Sequence, residues 1–350
     1  MDKIKASALK SVFSLLLSIT AILVLVLSKS YARSDVVTSM NKPVTGVVKA
    51  NGINIAYESY GSPDCETILL ISGTGAQLID WPVELIEELV KQDYRVVCFD
   101  NRDVGLSTKF DEAGYPDLTA IGKALEKGEP APIPYTLNDM ADDAVGLLDA
   151  LSIQKAHIVG VSMGGAIGQL VAINHPKRTL SLTSIMADSG NPKLPVFAKP
   201  EVFTPLPQLS PDISMDDFID YRIKTTQVLC SPGYPLDEKS LRKQVQSDVA
   251  RSYNLAGFMR QQIVSLVGHY TNNINGYRQK DLKMIKVPTL VLQGENDPLV
   301  PIESARDIAA NIPGAELIII SGLAHDLPEQ LAPIIAGAIV TAARQTGSPV

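Results

Sequence analysis

The sequence contains little cysteine, and its cysteines do not indicate a disulfide-stabilised or metal-binding protein. Only three of the 350 residues are cysteines, namely Cys65, Cys98 and Cys230. An odd number excludes complete pairing within one chain, and no Cys/His spacing resembles a metal-ligand motif. A Cys65–Cys230 disulfide is compatible with the sequence, but we expect free thiols. We expect neither a metal ion nor another cofactor.

The chain also lacks the excess of positive charge that nucleic-acid-binding proteins carry. Its formal net charge is −7, and no basic patch or interleaving of basic and aromatic residues stands out. Nucleic acid is therefore not an expected partner. The composition is 45% hydrophobic and 20% charged, as in ordinary globular proteins. The chain is long enough for one large α/β domain with an insertion.

A single long apolar run opens the chain. Lys3, Lys5 and Lys10 precede an uncharged stretch at 11–27, and Ser30-Tyr31-Ala32 follows as a small-x-small cleavage site. This pattern predicts that residues 1–32 are an export signal, cleaved after Ala32. The alternative is an uncleaved membrane tether through residues 11–27, although a membrane-spanning helix needs about 20 apolar residues. Either interpretation predicts an exported protein, periplasmic or extracellular.

Strand and helix patterns alternate through most of the remaining chain, which predicts a mainly parallel sheet with helices on both faces. Asn51-Gly52 is typical of a tight hairpin turn between two strands, at 47–50 and 53–57. Residues 111–135 are rich in Gly and Pro, and we expect them to form a long surface excursion. The further predicted strands are 67–71, 95–99, 156–161, 181–186, 289–292 and 316–320, and the predicted helices are 81–91, 136–151, 302–310 and 328–344.

The alternation stops between residues 191 and 285, where Pro-rich loops and a few helical stretches take its place. An insertion of this kind between two α/β units is typical of a helical cap. We therefore expect a core made of residues 45–190 and 286–345, with a cap at 191–285. The sequence does not determine the oligomeric state.

The most informative motif is Gly160-Val161-Ser162-Met163-Gly164, which lies between a predicted strand and a predicted helix. This is the G-x-S-x-G pattern of a nucleophile elbow. Strand and helix pass close together at such a turn, so Gly160 and Gly164 must be small. The turn would expose the Ser162 hydroxyl as a candidate nucleophile, which needs a base to activate it.

The candidate base and acid follow predicted strands later in the chain. His325 is the one histidine of four that lies on a loop directly after a predicted strand, where ligands bind in parallel sheets. Asp297, after the strand at 289–292, is the expected acid. Glu295 and Asp188 are its competitors. The order Ser, Asp, His along the chain is the one this elbow type predicts.

A tetrahedral intermediate would also need preorganised N–H donors for its oxyanion. The residue after the nucleophile, Met163, supplies one backbone N–H. The loop Gly73-Thr74-Gly75, after the strand at 67–71, would supply another, from Thr74 in the first place and Gly75 in the second. No Gly-Lys-Ser/Thr follows this loop, which disfavours a phosphate-binding role.

These motifs resemble the α/β-hydrolase fold family over about residues 45–345, and more narrowly its aclacinomycin methylesterase-like branch. The resemblance implies that Ser162, Asp297 and His325 are catalytic, that Thr74 and Met163 donate to the oxyanion, and that no cofactor is needed. One departure is Ser72, which stands where many members of the family carry a histidine. The stretches that carry the resemblance are 73–82, 100–107, 135–144 and 160–165.

The expected function is hydrolysis of a small-molecule carboxylic ester through an acyl-enzyme on Ser162. One alternative keeps the same three residues but transfers the acyl group to another acceptor, as in cofactor-free haloperoxidase-like or acyltransferase-like members of the family. A second alternative is a non-catalytic α/β-hydrolase that acts as a binding module. Ser162 in place of an aspartate at the elbow disfavours epoxide and haloalkane hydrolysis.

Overall fold

The structure of the protein is a computed structural model that describes residues 42–127, 129–203, 209–270 and 278–347. The predicted export signal, residues 1–32, lies outside these ranges, and both it and the predicted localisation stay predictions. Among the helices of the described ranges, none has the length and apolar character needed to cross a bilayer.

An eight-stranded sheet forms the centre of the described chain, with strand order β1-β2-β4-β3-β5-β6-β7-β8. The first two strands form the predicted hairpin, and Asn51 and Gly52 both have positive φ values, as its turn requires. From β4 to β8 all neighbours are parallel. The strands are Val44–Ala50 (β1), Ile53–Tyr60 (β2), Thr67–Ile71 (β3), Arg95–Phe99 (β4), Ala156–Val161 (β5), Thr179–Ile185 (β6), Thr289–Gly294 (β7) and Glu316–Ile320 (β8).

Helices cover both faces of the sheet, as the alternation of elements predicts. The helices are Val83–Lys91 (α1), Leu118–Lys127 (α2), Leu137–Ala150 (α3), Met163–Asn174 (α4), Met215–Leu229 (α5), Glu238–Arg251 (α6), Leu255–Tyr270 (α7), Ile302–Asn311 (α8) and Ala332–Arg344 (α9). One apolar core joins the sheet to α3, α4 and α8, and a second joins the opposite face to α1 and α9. Strands β3 and β5 are buried along their whole length, in agreement with their mainly apolar sequences.

The segment 111–135 is not the irregular surface excursion that its Gly and Pro content suggests. It contains α2, whose buried residues Ile121 and Leu125 pack in one cluster with Phe197, Leu229 and Leu266. These apolar positions are four residues apart and lie on one face of the helix. The helix is short, and the surrounding Gly and Pro residues hide its periodicity.

The last strand has the predicted bounds but is less buried than the strands at the centre of the sheet. β8 pairs only with β7 and is half-buried to exposed, with Ile319 39% exposed. It lies at the sheet edge, where one side has no neighbouring strand among the described residues. Its apolar sequence is therefore not a sign of burial on both faces.

Between β6 and β7 the described residues form helices α5, α6 and α7 and no strand. These helices lie in the segment that we assigned to the cap, and the domain boundaries themselves remain predictions. Side chains of α6 and α7 contact the loops that follow β3 and β4: Arg251 binds Asp100, and Gln261 binds Gly75. The helices thus lie over the carboxyl ends of the strands, where the predicted site residues are.

Candidate active site

Ser162 lies in a sharp turn between β5 and α4. Its φ of 56° and ψ of −124° are unusual for a residue with a side chain. The turn is closely packed, because a Cβ on Gly160 would lie 2.0 Å from the Gly164 carbonyl oxygen, and a Cβ on Gly164 would lie 2.0 Å from the Ile71 oxygen. Both flanking glycines are thus required by backbone contacts, as the elbow motif predicts.

The loops after β5, β7 and β8 bring Ser162, Asp297 and His325 into one hydrogen-bonded chain. His325 Nε2 lies 3.1 Å from Ser162 Oγ, and its Nδ1 lies 2.8 Å from Asp297 Oδ2. A carboxylate only accepts hydrogen bonds, so the proton of the neutral imidazole belongs on Nδ1. Nε2 is then free to accept the proton of the serine hydroxyl.

Asp297 is held by further hydrogen bonds that leave its carboxylate little freedom. Its Oδ1 accepts from the backbone N–H groups of Leu299, at 2.8 Å, and Val300, at 2.9 Å. Its Oδ2 accepts from Gln293 Nε2 at 3.0 Å, in addition to the bond from His325. The carboxylate is therefore fixed in position and can orient the imidazole.

The two competing acids are engaged elsewhere. Glu295 is exposed and accepts a hydrogen bond from Ser321 Oγ at 2.6 Å. Asp188 lies 2.7 Å from Arg278 Nη2 and 3.1 Å from His269 Nδ1. Burial alone would raise the pKa of Asp188, but the charge of Arg278 and the bond with His269 outweigh it and hold the pKa well below its usual value.

The remaining histidines also have other neighbours. His157 is buried in β5 against Ser181, and its pKa is lowered, chiefly by burial. His175 contacts Asp142 at the surface. Among the four histidines, all of them in described ranges, His325 is the one within hydrogen-bonding distance of Ser162.

The loop after β3 passes directly beside Ser162. A Cβ on Gly73 would lie 3.2 Å from the Ser162 Cβ, so the backbone approaches the nucleophile closely. Thr74 is fully buried, and its N–H has no hydrogen-bond partner within the described ranges. The Gly75 N–H instead donates to Gln261 Oε1 at 2.6 Å, so this second candidate donor is already used.

Met163 is the first residue of α4, and the N–H groups of a first helical turn have no intrahelical acceptor. Its N–H and that of Thr74 lie on the two segments that meet at Ser162, and the positive end of the α4 dipole points to the same place. The arrangement can stabilise a negative charge that develops next to the nucleophile.

Gln261 supports the candidate site, although no sequence motif predicted its role. Gln261, on α7, is fully buried and links two core loops: it accepts from Gly75 N–H and donates to the Arg102 carbonyl oxygen at 2.6 Å. It belongs to no motif and lies far from the site residues in the chain. Its contacts form only when α7 packs against the loops that follow β3 and β4.

None of the three cysteines belongs to the hydrogen-bonded chain of Ser162, His325 and Asp297. Cys65, Cys98 and Cys230 are all free thiols, as expected. Burial, with the nearby charge of Asp326, raises the pKa of Cys230 to about 12, which leaves its thiol protonated at neutral pH. In the part of the chain that the structure covers, no cluster of three or more His, Cys, Asp or Glu residues is suited to hold a metal ion.

Known proteins with similar sequences are hydrolases. A sequence model described as the alpha/beta hydrolase fold matches residues 66–330. The chain is 27% identical over 312 residues to the rhodomycin D methylesterase DauP of Streptomyces sp. (strain C5), covering 84% of this chain and 96% of that protein. It is 28% identical over 270 residues to a putative carbamate hydrolase, RutD, of Caulobacter segnis, covering 75% and 86%.

Among solved structures, the fold is similar to that of a meta-cleavage product hydrolase from Pseudomonas fluorescens IP01. The TM-score is 0.61 at 18% identity, and the match covers 85% of this chain and 96% of that one. At this identity the likeness concerns the fold alone. The sequence matches also extend over most of the chain, and they include a methylesterase, in agreement with the resemblance that the motifs indicate.

Proposed function

The chain belongs to the alpha/beta hydrolase fold family, and from this premise we propose that it is a serine esterase that cleaves a carboxylic ester through an acyl-enzyme on Ser162. The observation that carries the proposal is the continuous chain of hydrogen bonds from Ser162 Oγ through His325 to Asp297. This chain connects a nucleophile, a base and an orienting acid, which is the minimum that serine-based acyl transfer needs.

The proposed reaction proceeds in two halves. Ser162 Oγ attacks the ester carbonyl carbon while His325 Nε2 takes the hydroxyl proton, and the carbonyl oxygen becomes an oxyanion beside the N–H groups of Thr74 and Met163. The C–O bond to the alcohol then breaks, and His325 gives its proton to the leaving alkoxide. In the second half, water attacks the acyl-enzyme, His325 accepts its proton and returns it to Ser162, and the carboxylic acid leaves.

Asp297 and the backbone donors make this sequence of proton transfers favourable. The carboxylate keeps the Nδ1–H tautomer and stabilises the imidazolium that forms in both halves. Each donor to the oxyanion contributes about 3 kcal/mol to lowering the barrier in comparable sites. All of these groups are held by the protein before substrate binds, so little reorganisation is needed.

We further propose that the substrate is a small-molecule ester. Relatives that match most of the chain include rhodomycin D methylesterases, at 27% identity. Helices α5 to α7 lie over the site, so residues of this segment are placed to select the substrate. A screen of the purified protein on esters of graded acyl and alcohol length would identify the preferred class.

Removing the nucleophile tests the proposal. We expect Ser162→Ala to abolish hydrolysis of p-nitrophenyl acetate and labelling by a fluorophosphonate probe, while the thermal unfolding temperature stays close to that of the wild type. Ser240→Ala, in the first turn of α6 away from the site, is the matched control and should keep full activity.

Two outcomes would contradict the proposal. Turnover that survives in Ser162→Ala would place the nucleophile elsewhere. A folded wild-type protein that the fluorophosphonate does not label would favour a non-catalytic binding module.

A further inference from the structure

The loop that carries His325 is bound along its length by a segment of the chain outside the core elements. Residues 229–233, which begin at the last residue of helix α5, run beside the loop 322–326. We call residues 229–233 the strap. The strap contacts the loop backbone before and at His325, and it contacts the Asp326 side chain after it.

Hydrogen bonds join the strap to the loop at several positions. The His325 N–H donates to the Leu229 carbonyl oxygen at 3.1 Å, and the Gly233 N–H donates to the Gly322 oxygen at 3.2 Å. The Ala324 N–H donates to Ser231 Oγ at 2.8 Å. The Ser231 N–H in turn donates to the Asp326 carboxylate, at 3.1 Å and 3.2 Å from its two oxygens.

Ser231 and Asp326 form the centre of this contact. The Ser231 hydroxyl donates to Asp326 Oδ1 while its oxygen accepts from Ala324, so one side chain connects the residues before and after His325. Ser231 is 1% exposed and Asp326 is 2% exposed. In a site closed to water, such bonds have no solvent competitor, and losing one partner leaves the other unsatisfied.

We propose that Ser231 and Asp326 are positioning residues that hold His325 in line between Ser162 and Asp297, and that residues 229–233 are therefore part of the esterase machinery. The proposal rests on the function proposed above for its activity readout. Asp326 does not reach Ser162 and takes no proton from substrate. It acts through the loop that it fixes.

The ionised form of Asp326 is the one that can accept all the bonds from Ser231. Burial raises the pKa of Asp326 to about 6, whereas the bonds from Ser231 and the nearby His325 lower it and the charge of Asp297 raises it further. Cys230, the titratable group that faces it from the strap, stays protonated in this range. We therefore expect the hydrogen bonds between the strap and Asp326 to be strongest above pH 6.

The test compares Asp326→Asn and Ser231→Ala with controls of the same chemistry. Asp237 and Ser240 form an equivalent Asp–Ser pair at the start of α6, with Ser240 Oγ 2.7 Å from Asp237 Oδ2, at an exposed position. Asp237→Asn and Ser240→Ala remove the same groups from the same part of the chain without touching the loop 322–326. Ser231→Thr restores the hydroxyl lost in Ser231→Ala.

For hydrolysis of p-nitrophenyl acetate, we expect Asp326→Asn and Ser231→Ala to lower kcat by about 10- to 100-fold, as small misplacements of catalytic groups do. KM should stay within about twofold, since the strap does not bind substrate, and Ser231→Thr should recover part of the loss. The ratio of wild-type to Asp326→Asn activity should be largest above pH 6 and shrink towards one below it, where the wild-type carboxyl is also neutral. The two control variants should behave as wild type.

A second measurement does not depend on turnover. We expect the proton between His325 Nδ1 and Asp297 to give a low-field NMR resonance, which Asp326→Asn should shift or broaden and Asp237→Asn should not. Unchanged kcat together with an unmoved resonance in both strap variants overturns the proposal.

If Ser162→Ala keeps its activity, the esterase assignment fails, but the resonance still decides whether the strap positions His325. If Asp326→Asn does not fold, Ser231→Ala and its threonine counterpart provide the same comparison.

Discussion

The backbone at Ser162 is held in its conformation by its neighbours rather than by its own preference. A positive φ is costly for a residue with a Cβ, by about 1–3 kcal/mol, and it persists only where the surroundings impose it. Here the constraint comes from the close approach of β5, α4 and the end of β3, which Gly160 and Gly164 make possible. The strain serves to expose the hydroxyl to His325.

Gly164→Ala tests this packing. Its Cβ would lie 2.0 Å from the Ile71 carbonyl oxygen, and a backbone atom cannot rotate away. We expect the free energy of unfolding to fall by about 1–3 kcal/mol or more and ester hydrolysis to be lost with it. Urea denaturation and p-nitrophenyl acetate turnover measure the two effects.

Gly337→Ala is the matched control, because Gly337 lies in α9 and a Cβ added there would meet no atom within 4 Å beyond the backbone of its own helix. Alanine in an open helical position should stabilise by about 0.5–1 kcal/mol. If the two alanine variants unfold alike, crowding at the elbow is not what requires glycine there.

Asp297→Asn and Glu295→Gln together test which of the two carboxylates is the catalytic acid. An amide in place of the carboxylate can present N–H to His325 Nδ1 and so favour the wrong tautomer, which should lower kcat by on the order of 10⁴-fold. Glu295→Gln, at an exposed site bound to Ser321, should leave kcat nearly unchanged. A larger loss in Glu295→Gln than in Asp297→Asn would reverse the assignment.

Helix α7 contacts the candidate oxyanion loop, residues 73–75, through the side chains of Gln261 and Phe258. Gln261 satisfies the N–H of Gly75 and the carbonyl oxygen of Arg102, which belong to the loops after β3 and β4. Gly75 has a φ of 69°, and the Phe258 ring, also on α7, occupies the space where a side chain would lie. The helix thus sets the shape of the loop that carries Thr74.

Gln261→Leu should loosen this loop. The substitution keeps the volume but leaves a buried donor and a buried acceptor without a partner, at a cost of about 1–3 kcal/mol for each. We expect a lower unfolding temperature and slower fluorophosphonate labelling of Ser162, because the Thr74 N–H loses its alignment.

A buried glutamine on the neighbouring helix offers the control for this variant. Gln244, on α6, is 5% exposed, and its Nε2 has no hydrogen-bond partner among the residues the structure describes. Gln244→Leu should be neutral or stabilising, since it removes an unsatisfied buried group. Equal effects of both leucine variants would mean that the bond to Gly75 is unimportant.

At the scale of the whole molecule, helices α5 and α6 contact the core through buried charged side chains. Asp80, beside the candidate oxyanion loop, faces Asp248 of α6, with Arg222 of α5 close to both. Burial raises the pKa of Asp80, and burial together with the charge of Asp80 raises the pKa of Asp248 well above its usual value. The two carboxyl groups therefore retain a proton in the folded protein that the unfolded chain releases.

This retained proton predicts how stability depends on pH. A carboxyl whose folded pKa is raised stabilises the fold fully below its unfolded pKa, near 4, and loses that contribution as the pH rises through the folded value. One such proton makes the free energy of unfolding fall by about 1.4 kcal/mol per pH unit in that range. Asp248→Asn should therefore flatten the decline of stability as the pH rises above about 4, measured by urea denaturation.

Asp220→Asn is suited as the control, because Asp220 is half exposed and pairs with Arg242 at the surface of α5 and α6. It should leave the slope of stability against pH as in the wild type. A slope that stays the same in Asp248→Asn would show that the pair holds no shared proton.

The local patterns of the chain were sufficient to predict the sheet, the elbow and the position of His325 and Asp297 after their strands. Strand alternation, the glycines at 160 and 164, and the order of elements are local properties, and parallel strands place their following loops at one edge of the sheet. Local patterns misled at α2, which is too short to show its period.

The distances within the site and its support by α5 and α7 follow from packing between residues that are far apart in the chain. Ser162 and His325 are 163 positions apart, and Gly75 and Gln261 are 186 apart. No local propensity encodes such contacts, because each depends on where two separately formed elements come to lie against each other. The residue types needed for acyl transfer are therefore readable in the linear chain, whereas the strap on His325 and the glutamine on the oxyanion loop exist only once the elements have packed.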